Sequence, residues 1–207
     1  MTLSASEVNK LKQAPVVDGV LPAVLGRWSA RSFSDREVSA EDLKKIFEAA
    51  RWTASSYNEQ PWRFLVGRRN SSTYKKIFST LIEFNQSWAG AAPVLILGVA
   101  STRFARSGSD NRNALYDLGA ATSYLTLQAA ALGLTTHQMA GFDQKAARQV
   151  FEIPEDYAIG AAIALGYQGE PSALGNPQLV EMETGPRTRK TLSEFVLSSW
   201  GAPAELG

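Results

Sequence analysis

Cysteine is absent from the 207-residue chain, and His137 is its only histidine. These absences exclude disulfides, thiolate catalysis, cysteine-ligated zinc, iron–sulfur clusters and any metal site that needs several histidines. A Ser-His-Asp triad could use no histidine other than His137. Because the side chains that most often carry chemistry are scarce, we expect a bound small molecule to supply the reaction and expect no metal.

Long apolar runs and an excess of charge are also missing. The longest apolar run, residues 91–100, is far shorter than the roughly 20 residues that span a bilayer. The first ten residues lack the basic-then-apolar order of a signal peptide. A net charge of +1 gives no reason to expect nucleic acid or a membrane surface as a partner. We expect a cytoplasmic protein that folds as one domain over residues 1–207.

Hydrophobic periodicity predicts helices that alternate with strands, without a repeat or a linker. Strands are predicted at 62–68, 93–100, 134–139 and 157–167. Helices are predicted over 3–14, 20–25, 39–52, 72–84, 114–132, 143–151 and 191–198. Residues 171–186 contain repeated proline and glycine and are predicted to be an extended connection. This order predicts an α+β or α/β sandwich with one mixed sheet.

The predicted helix over 114–132 has no charged residue after Asp117. Such a helix is expected to be buried all round. In a domain of this size, full burial also suggests a subunit interface.

Two polar stretches near the N-terminus have the spacing of a ligand site. In the first, R-W-S-A-R-S-F, an extended backbone would place Arg27, Ser29 and Arg31 on one side. The second, T-A-S-S-Y-N-E-Q-P-W, follows an apolar helix pattern and predicts a polar loop that ends at Pro61. Guanidinium, hydroxyl and amide groups at these spacings suit an anionic, hydrogen-bonding ligand.

Neither a G-x-G-x-x-G fingerprint nor a P-loop occurs in the chain. A bound phosphate would therefore be held by side chains. Arginine suits this role because its planar fork donates two parallel, charge-assisted hydrogen bonds. Arg27 with Arg31 forms one candidate set, and Arg187, Arg189 and Lys190 form another. Each set taken alone is more often solvated surface.

Several conspicuous residues have plain structural explanations. His137 ends an apolar strand, where a single histidine is usually hydrogen-bonded within the structure. Core packing is the usual role of tryptophan, although an indole can also stack on a ring ligand. Asn85, in a predicted polar break at 85–88, could cap a helix or could read the edge of a ligand with its amide.

Taken together, these blocks resemble the FMN-dependent nitroreductase family. The resemblance extends over nearly the whole chain in the family's order, and S-x-x-N-x-Q-P-W-x-F combined with the first arginine block is its most specific part. The matching residues are R-W-S-A-R-S-F (27–33), A-S-S-Y-N-E-Q-P-W-R-F (54–64), A-A-P-V-L-I-L (91–97), 117–134, Q-M-A-G-F-D (138–143) and R-T-R-K (187–190).

The resemblance implies an α+β fold, a three-layer sandwich whose mixed, mainly antiparallel sheet is flanked by helices. It also implies an intertwined homodimer with an FMN in each of two interface clefts. Arg27, Arg187, Arg189 and Lys190 would hold the phosphate end, and Arg31 would lie near the N1/O2 edge of the ring. The remaining implied FMN-binding residues are Trp28, Ser29, Ala54, Ser55, Ser56, Asn58, Asn85, Met139, Ala140 and Gly141, of which Ala54–Asn58 would reach the partner subunit's flavin.

Two residues depart from the family pattern. Trp28 replaces a basic residue that is common in the first block, and Ala54 replaces a common proline. The segment 101–113 is expected to be the remnant of a longer excursion that covers the flavin in other members.

The resemblance implies an oxidoreductase in which hydride passes from NADH or NADPH to flavin N5 and then to an electron-poor acceptor, in a ping-pong sequence. Nitroaromatics, quinones, enones and aldehydes are the implied acceptors. The protein itself then needs no general acid or base. Two alternatives remain open: a related enzyme that oxidises or dehalogenates its substrate, and a flavin-binding sensor without turnover.

Overall fold

The computed structural model describes residues 3–206, which are built around a four-stranded sheet. The strands β1 (Trp62–Arg68), β2 (Val94–Ser101), β3 (Thr135–Met139) and β4 (Tyr157–Gly166) lie in the order β1-β2-β4-β3. Each neighbouring pair among the described residues is antiparallel. All four predicted strands are confirmed. β2 is buried along nearly its whole length between β1 and β4, which explains its unbroken apolar sequence.

Helices cover both faces of this sheet. They are α1 (Ala5–Lys12), α2 (Pro22–Gly26), α3 (Ala40–Arg51), α4 (Ser72–Thr80), α5 (Glu83–Ala89), α6 (Ala114–Ala131), α7 (Gln144–Phe151) and α8 (Pro177–Thr184). A short hairpin, β5 (Leu197–Ser199) with β6 (Ala202–Pro203), follows near the C-terminus. Within residues 3–206, no helix combines the length and the apolar character that a bilayer crossing requires.

Two hydrophobic cores make this arrangement a three-layer sandwich. On one face, α3 and α6 pack against residues such as Ile96 and Ile163. On the other face, α4, α5 and α7 pack against Leu95 and Leu97 of β2, the strand that also contains Ile96. The alternation of β2 side chains between the two cores follows from the period of two in a strand. The predicted α+β sandwich with a mainly antiparallel sheet is thus confirmed.

The predicted helix ends depend on identifiable caps. The Ser39 hydroxyl accepts a hydrogen bond from the Asp42 amide at 2.9 Å, and Asp143 accepts one from Ala146 at 2.9 Å. Gly133 ends α6 with a φ of +75°, a conformation that glycine adopts without a steric penalty. These caps lie at the predicted starts of the helices over 39–52 and 143–151 and at the predicted end of the helix over 114–132.

Three element predictions are wrong. The predicted helix 72–84 stops at Thr80, and the residues expected to form a polar break, Asn85–Trp88, lie inside α5. The extended connection over 171–186 contains α8, whose start is marked by Asn176 as N-cap and Pro177 as first residue. The predicted helix over 191–198 is one 3-10 turn, Leu192–Glu194, followed by β5.

In the single chain, helix α6 is buried on one face only, so its predicted burial all round would need a second subunit and stays a prediction. Tyr116 is 79% exposed, and Leu115 and Tyr124 are about half exposed, while Leu118 and Leu125 on the opposite face are buried. The helix therefore packs one apolar face into the core and presents a second apolar face outward.

The arginine block 27–33 is fixed to the chain that follows β4. Ser34 donates its amide to Tyr167 O at 2.9 Å, and Gly169 donates its amide to Ser32 O at 2.9 Å. A Cβ on Gly169 would lie 2.6 Å from Phe33 O and 2.9 Å from Ser32 Oγ. This glycine therefore allows the two segments to approach each other closely.

Gly169→Ala should lower the free energy of unfolding by about 1–3 kcal/mol, because the added methyl overlaps with backbone atoms that have little freedom to move. Urea denaturation followed by circular dichroism measures this change. Gly26→Ala is the matched control, since its nearest neighbour would be Gln13 Oε1 at an ordinary 3.5 Å. Equal stability of the two variants would contradict the steric role of Gly169.

Candidate functional site

The arginine block runs beside β3, which forms one edge of the sheet. His137 Nδ1 lies 3.1 Å from Ala30 O, and Thr135 donates its hydroxyl to Trp28 O at 3.5 Å. Trp28 and Ala30 are buried, whereas Ser29 is exposed. The predicted alternation of residues 27–31 is confirmed: Arg27, Ser29 and Arg31 are less buried than the two residues between them.

Three guanidinium groups converge at the start of this block. Arg187 donates to the carbonyl oxygens of Leu25 and Arg27, and this fixes the segment after α8 to the end of α2. Burial lowers the pKa of Arg27, and the nearby charge of Arg189 lowers it further. The pKa of Arg187 is lowered by burial and then by Arg189 and Arg27. Arg187 thus lies against the Arg27 backbone, and the positive charge of Arg189 is near enough to influence both side chains.

No carboxylate among the described residues pairs with these arginines within salt-bridge distance. Clustered cations in a partly buried position repel one another unless an anion joins them. Arginine forks are well suited to an oxyanion such as phosphate. The cluster thus has the chemistry of an anion site. Arg27 and Arg187 are half-buried, whereas Arg189 and Lys190, the expected further phosphate ligand, are exposed.

Arg31 is held through its backbone and leaves its side chain available. Its amide donates to both carboxylate oxygens of Glu183 at 3.0 Å, and the Ser32 amide donates to Glu183 Oε1 at 3.0 Å. The guanidinium lies 5.9 Å from the centre of the Trp88 ring, and its Nε is buried without a hydrogen-bond partner. A buried donor without a partner is costly, and the guanidinium as a whole has no carboxylate partner among the described residues.

His137 lies beneath this block and has a structural role. Its ring packs against Trp88 with centroids 4.5 Å apart, and its Nδ1 faces the Ala30 carbonyl. Burial, and then the positive charge of Arg31, lower the pKa of His137 to about 4. A neutral ring donates Nδ1–H to Ala30 O at physiological pH, which confirms the structural interpretation of this residue.

The second polar stretch, the loop 53–60, has an unusual backbone. Tyr57, Asn58 and Gln60 have φ values of 52°, 55° and 51°, in the left-handed region that side chains other than glycine rarely adopt. Asp117 Oδ2 accepts from the Ser56 amide at 3.1 Å, and Ser55 Oγ accepts from the Gln60 amide at 3.0 Å. Strained backbone of this kind persists only where surrounding contacts fix it, and it is concentrated at functional sites.

Contacts with the segment 101–113 also support this loop. Glu59 accepts from the Ala105 amide at 2.9 Å, and the rings of Tyr57 and Phe104 meet edge to face at 5.7 Å. Arg103 pairs with Asp110 across the segment. The expected remnant of the excursion therefore folds as a compact turn against the loop, and Tyr57 remains 93% exposed.

A single chain does not bring the two polar stretches together. The loop 53–60 precedes β1, and the arginine block lies beside β3 at the opposite edge of the sheet. Three strand spacings of about 4.8 Å separate those edges by roughly 14 Å. The expected site residues Ala54, Ser55, Ser56 and Asn58 are thus remote from Arg27 and Arg31 in the same chain.

The turn after β3 contains the remaining expected residues. Met139 is buried, Ala140 is exposed and Gly141 is half-buried. The Asn85 amide donates to Gly141 O at 2.8 Å, so this donor is used within the protein. Asn85 lies in the first turns of α5 and does not cap the end of a helix.

Gly141 is closely packed within the chain itself. A Cβ at this position would lie 2.6 Å from Asn85 Nδ2 and 2.7 Å from Ile82 Cδ1. The glycine is therefore required by packing against α5 and the residue before it, whatever lies on the other side of the turn.

Residues 24–167 match the model of the nitroreductase family. The chain belongs to the nitroreductase family. This match covers well over half of the sequence and includes β1–β4, the arginine block and the loop 53–60.

Similar proteins agree with this assignment. A solved structure described as an oxidoreductase containing FMN superposes with a TM-score of 0.84 at 29% identity, over 92% of this chain and 97% of the other. An FMN-dependent nitroreductase from Clostridium difficile R20291 superposes with a TM-score of 0.57 at 27% identity, over 69% and 83%. A NADH dehydrogenase from Thermus thermophilus is 30% identical over 190 residues, which cover 75% of this chain and 89% of the relative.

Glu183 and Lys12 were not anticipated from the sequence of this nitroreductase family member. Glu183 is fully buried, and Lys12, with 6% exposure, lies over the Trp28 ring at 4.8 Å. Lys12 belongs to α1 and Glu183 to α8, and both helices contact the arginine block. The signal that could have revealed Glu183 is the Asn176–Pro177 helix start, because Glu183 then lies four residues after the buried Leu179, on the same face of α8.

The titration of His137 gives a direct check on this site. Because the folded state lowers the pKa from 6.5 to about 4, the unfolded chain binds the extra proton between these pH values. This residue should therefore stabilise the fold fully above pH 6.5 and lose about 3 kcal/mol of that contribution as the pH falls to about 4. NMR of the sole imidazole should give the low pKa in the folded protein.

The matched comparison is His137→Gln, measured by urea denaturation across the same pH range. The stability difference between the native protein and the variant should shrink as the pH falls through this window. An imidazole that titrates near 6.5 would contradict the buried, neutral assignment.

Proposed function

We propose that this protein is an FMN-dependent NAD(P)H oxidoreductase that reduces small electron-poor acceptors such as nitroaromatics, quinones, enones or aldehydes. The observation that carries the proposal is the convergence of Arg27, Arg187 and Arg189 without a paired carboxylate. Family membership and the FMN named for two of the similar structures support the same cofactor.

The described residues fit this cofactor. The guanidinium cluster would bind the phosphate, and Ser29 is exposed beside it to donate or accept a further hydrogen bond. Arg31, with its buried Nε lacking a partner, would face an acceptor atom at the ring edge. Bound FMN would supply hydride chemistry at its N5 atom, which takes the hydride from NAD(P)H and gives it to the electron-poor acceptor.

The side chains of this chain then bind, orient and stabilise charge. A fixed cation at the ring edge would stabilise the negative charge that accumulates there on reduction. His137, the obvious proton carrier, is neutral and engaged with Ala30. His137 is therefore not available as a proton donor or acceptor for a ligand.

The complete site would require a second copy of the chain. The loop 53–60 and the arginine block lie at opposite edges of the sheet, so two copies could each contribute one part to each cleft. The outward apolar face of α6, with Leu115, Tyr116 and Tyr124, provides a surface for such a homodimer. Exposed apolar residues in one patch commonly mark an interface.

Absorption spectroscopy tests the function. Protein purified or reconstituted with FMN should absorb as an oxidised flavin, bleach under anaerobic NADH or NADPH, and recover its colour when an acceptor is added. Arg189→Ala should weaken FMN binding by about 10–100-fold, because each charge-assisted hydrogen bond contributes about 1.5–3 kcal/mol. The exposed Lys75→Ala is the control for loss of one positive charge.

Three outcomes would contradict the proposal in different ways. Protein that cannot be reconstituted with FMN would overturn the cofactor assignment. Flavin that stays oxidised in excess NADH and NADPH would indicate a binding protein without turnover. Rapid bleaching without reoxidation by any of the four acceptor classes would indicate a related enzyme of different chemistry.

Tyr124→Asp should weaken the homodimer at least about tenfold, because it would bury an unpaired charge in the interface. FMN binding should weaken in parallel, since each cleft would lose its second contributor. Analytical ultracentrifugation and flavin fluorescence measure the two effects, with Lys75→Asp as a control on the exposed side of α4. A monomeric variant that retains FMN with native affinity would show that one chain completes the site.

A further inference from the structure

We propose that Glu183 is a positioning residue that holds Arg31 by its backbone, and that its buried charge offsets Arg31 in setting the reduction potential of the flavin. This inference rests on the proposed function for its second part only. The first part concerns the protein alone.

The contacts of Glu183 are unusual for a carboxylate beside an arginine. Its oxygens accept from the backbone amides of Arg31 and Ser32, at 3.0 Å in each case. The usual side-chain ion pair is absent, since Arg31 makes no salt bridge among the described residues. Glu183 therefore fixes the position of Arg31 and leaves its guanidinium for another partner.

The ionised form of Glu183 fits these contacts. Each recorded neighbour of its oxygens is an N–H donor, and a protonated carboxyl would instead need an acceptor for its own hydrogen. The side chain is 0% exposed. Burial raises the pKa of Glu183, whereas the two amides and the charges of Arg31 and Lys12 oppose that rise.

Lys12 supplies the opposing charge from another helix. Its ammonium is 3.5 Å from Met182 O, the residue next to Glu183, and burial lowers its pKa while Glu183 raises it. Arg31, Lys12 and Glu183 thus form a buried group of two cations and one anion behind the ring-edge site. In such a poorly solvated group, removal of either sign of charge changes the potential at Arg31.

The two charges predict changes of opposite sign. Glu183→Gln removes a negative charge and should favour reduced over oxidised FMN by about tenfold, which for a two-electron couple is about 30 mV towards positive potential. Lys12→Met removes a positive charge and should shift the midpoint in the negative direction by a similar factor. A purely structural role would not produce opposite shifts.

The experiment measures midpoint potentials of the FMN-loaded native protein, Glu183→Gln, Lys12→Met and the control Glu181→Gln. Glu181 is on the same helix but is exposed, so its variant should match the native potential. An unchanged potential in Glu183→Gln, or shifts of the same sign in Glu183→Gln and Lys12→Met, would overturn the electrostatic part. If Glu183→Gln does not fold, an unchanged potential in Lys12→Met would overturn it instead.

Hydrogen exchange tests the positioning part without flavin. The amides of Arg31 and Ser32 in the apo protein should exchange at least about tenfold faster in Glu183→Gln than in Glu181→Gln, because their common acceptor is weakened. Lys12→Met, which leaves that acceptor in place, should change these two amides little. Equal exchange in all variants would overturn the positioning role, whereas native protein without FMN affinity would overturn only the proposed function.

If Glu183→Gln does not fold, Glu183→Asp provides the same test. Its shorter side chain retains the charge but withdraws the oxygens from both amides. Faster exchange at Arg31 and Ser32 is then expected, and native exchange rates would overturn the positioning role.

Discussion

Repulsion among like charges is the constraint on which this structure depends. Arg27 is some 160 residues from Arg187 and Arg189 in the sequence, and bringing these positive charges together costs free energy unless an anion is present. The fold meets this cost with hydrogen bonds from the Arg187 guanidinium to the carbonyl oxygens of Leu25 and Arg27, and with extensive packing elsewhere. If the site binds phosphate as proposed, the cluster is already assembled before binding, so less reorganisation would accompany binding.

Helices α1 and α8, from the two ends of the sequence, both hold the arginine block in position. α1 contributes Asn9, which accepts from the Trp28 indole, and Lys12, which lies over the same ring. α8 contributes Glu183, which accepts from the backbone on the other side of the block. Trp28 replaces a basic residue expected from the family pattern, and the structure shows an anchor in its place. Trp28 therefore contributes packing and an internal hydrogen bond where a basic residue would contribute a positive charge.

The fold could be predicted from the sequence where local signals were strong. The apolar run of β2, the caps at Ser39 and Asp143 and the glycine after α6 each have a mechanism that acts over a few residues. The C-terminal region was predicted poorly because its prolines and glycines obscured a short helix that depends on tertiary packing. For the site, residue type and spacing revealed the arginines. The role of Glu183 follows from its contacts with residues some 150 positions earlier, which no local pattern reports.

The separation of the two polar stretches across the sheet has a thermodynamic consequence. If each cleft draws on two chains, a cofactor bound there also joins those chains, and its binding energy adds to that of association. Cofactor content would then depend on protein concentration, and a preparation diluted below the association range would lose flavin without any change in its sequence. Supply of FMN and abundance of the protein would together determine how much active enzyme is present.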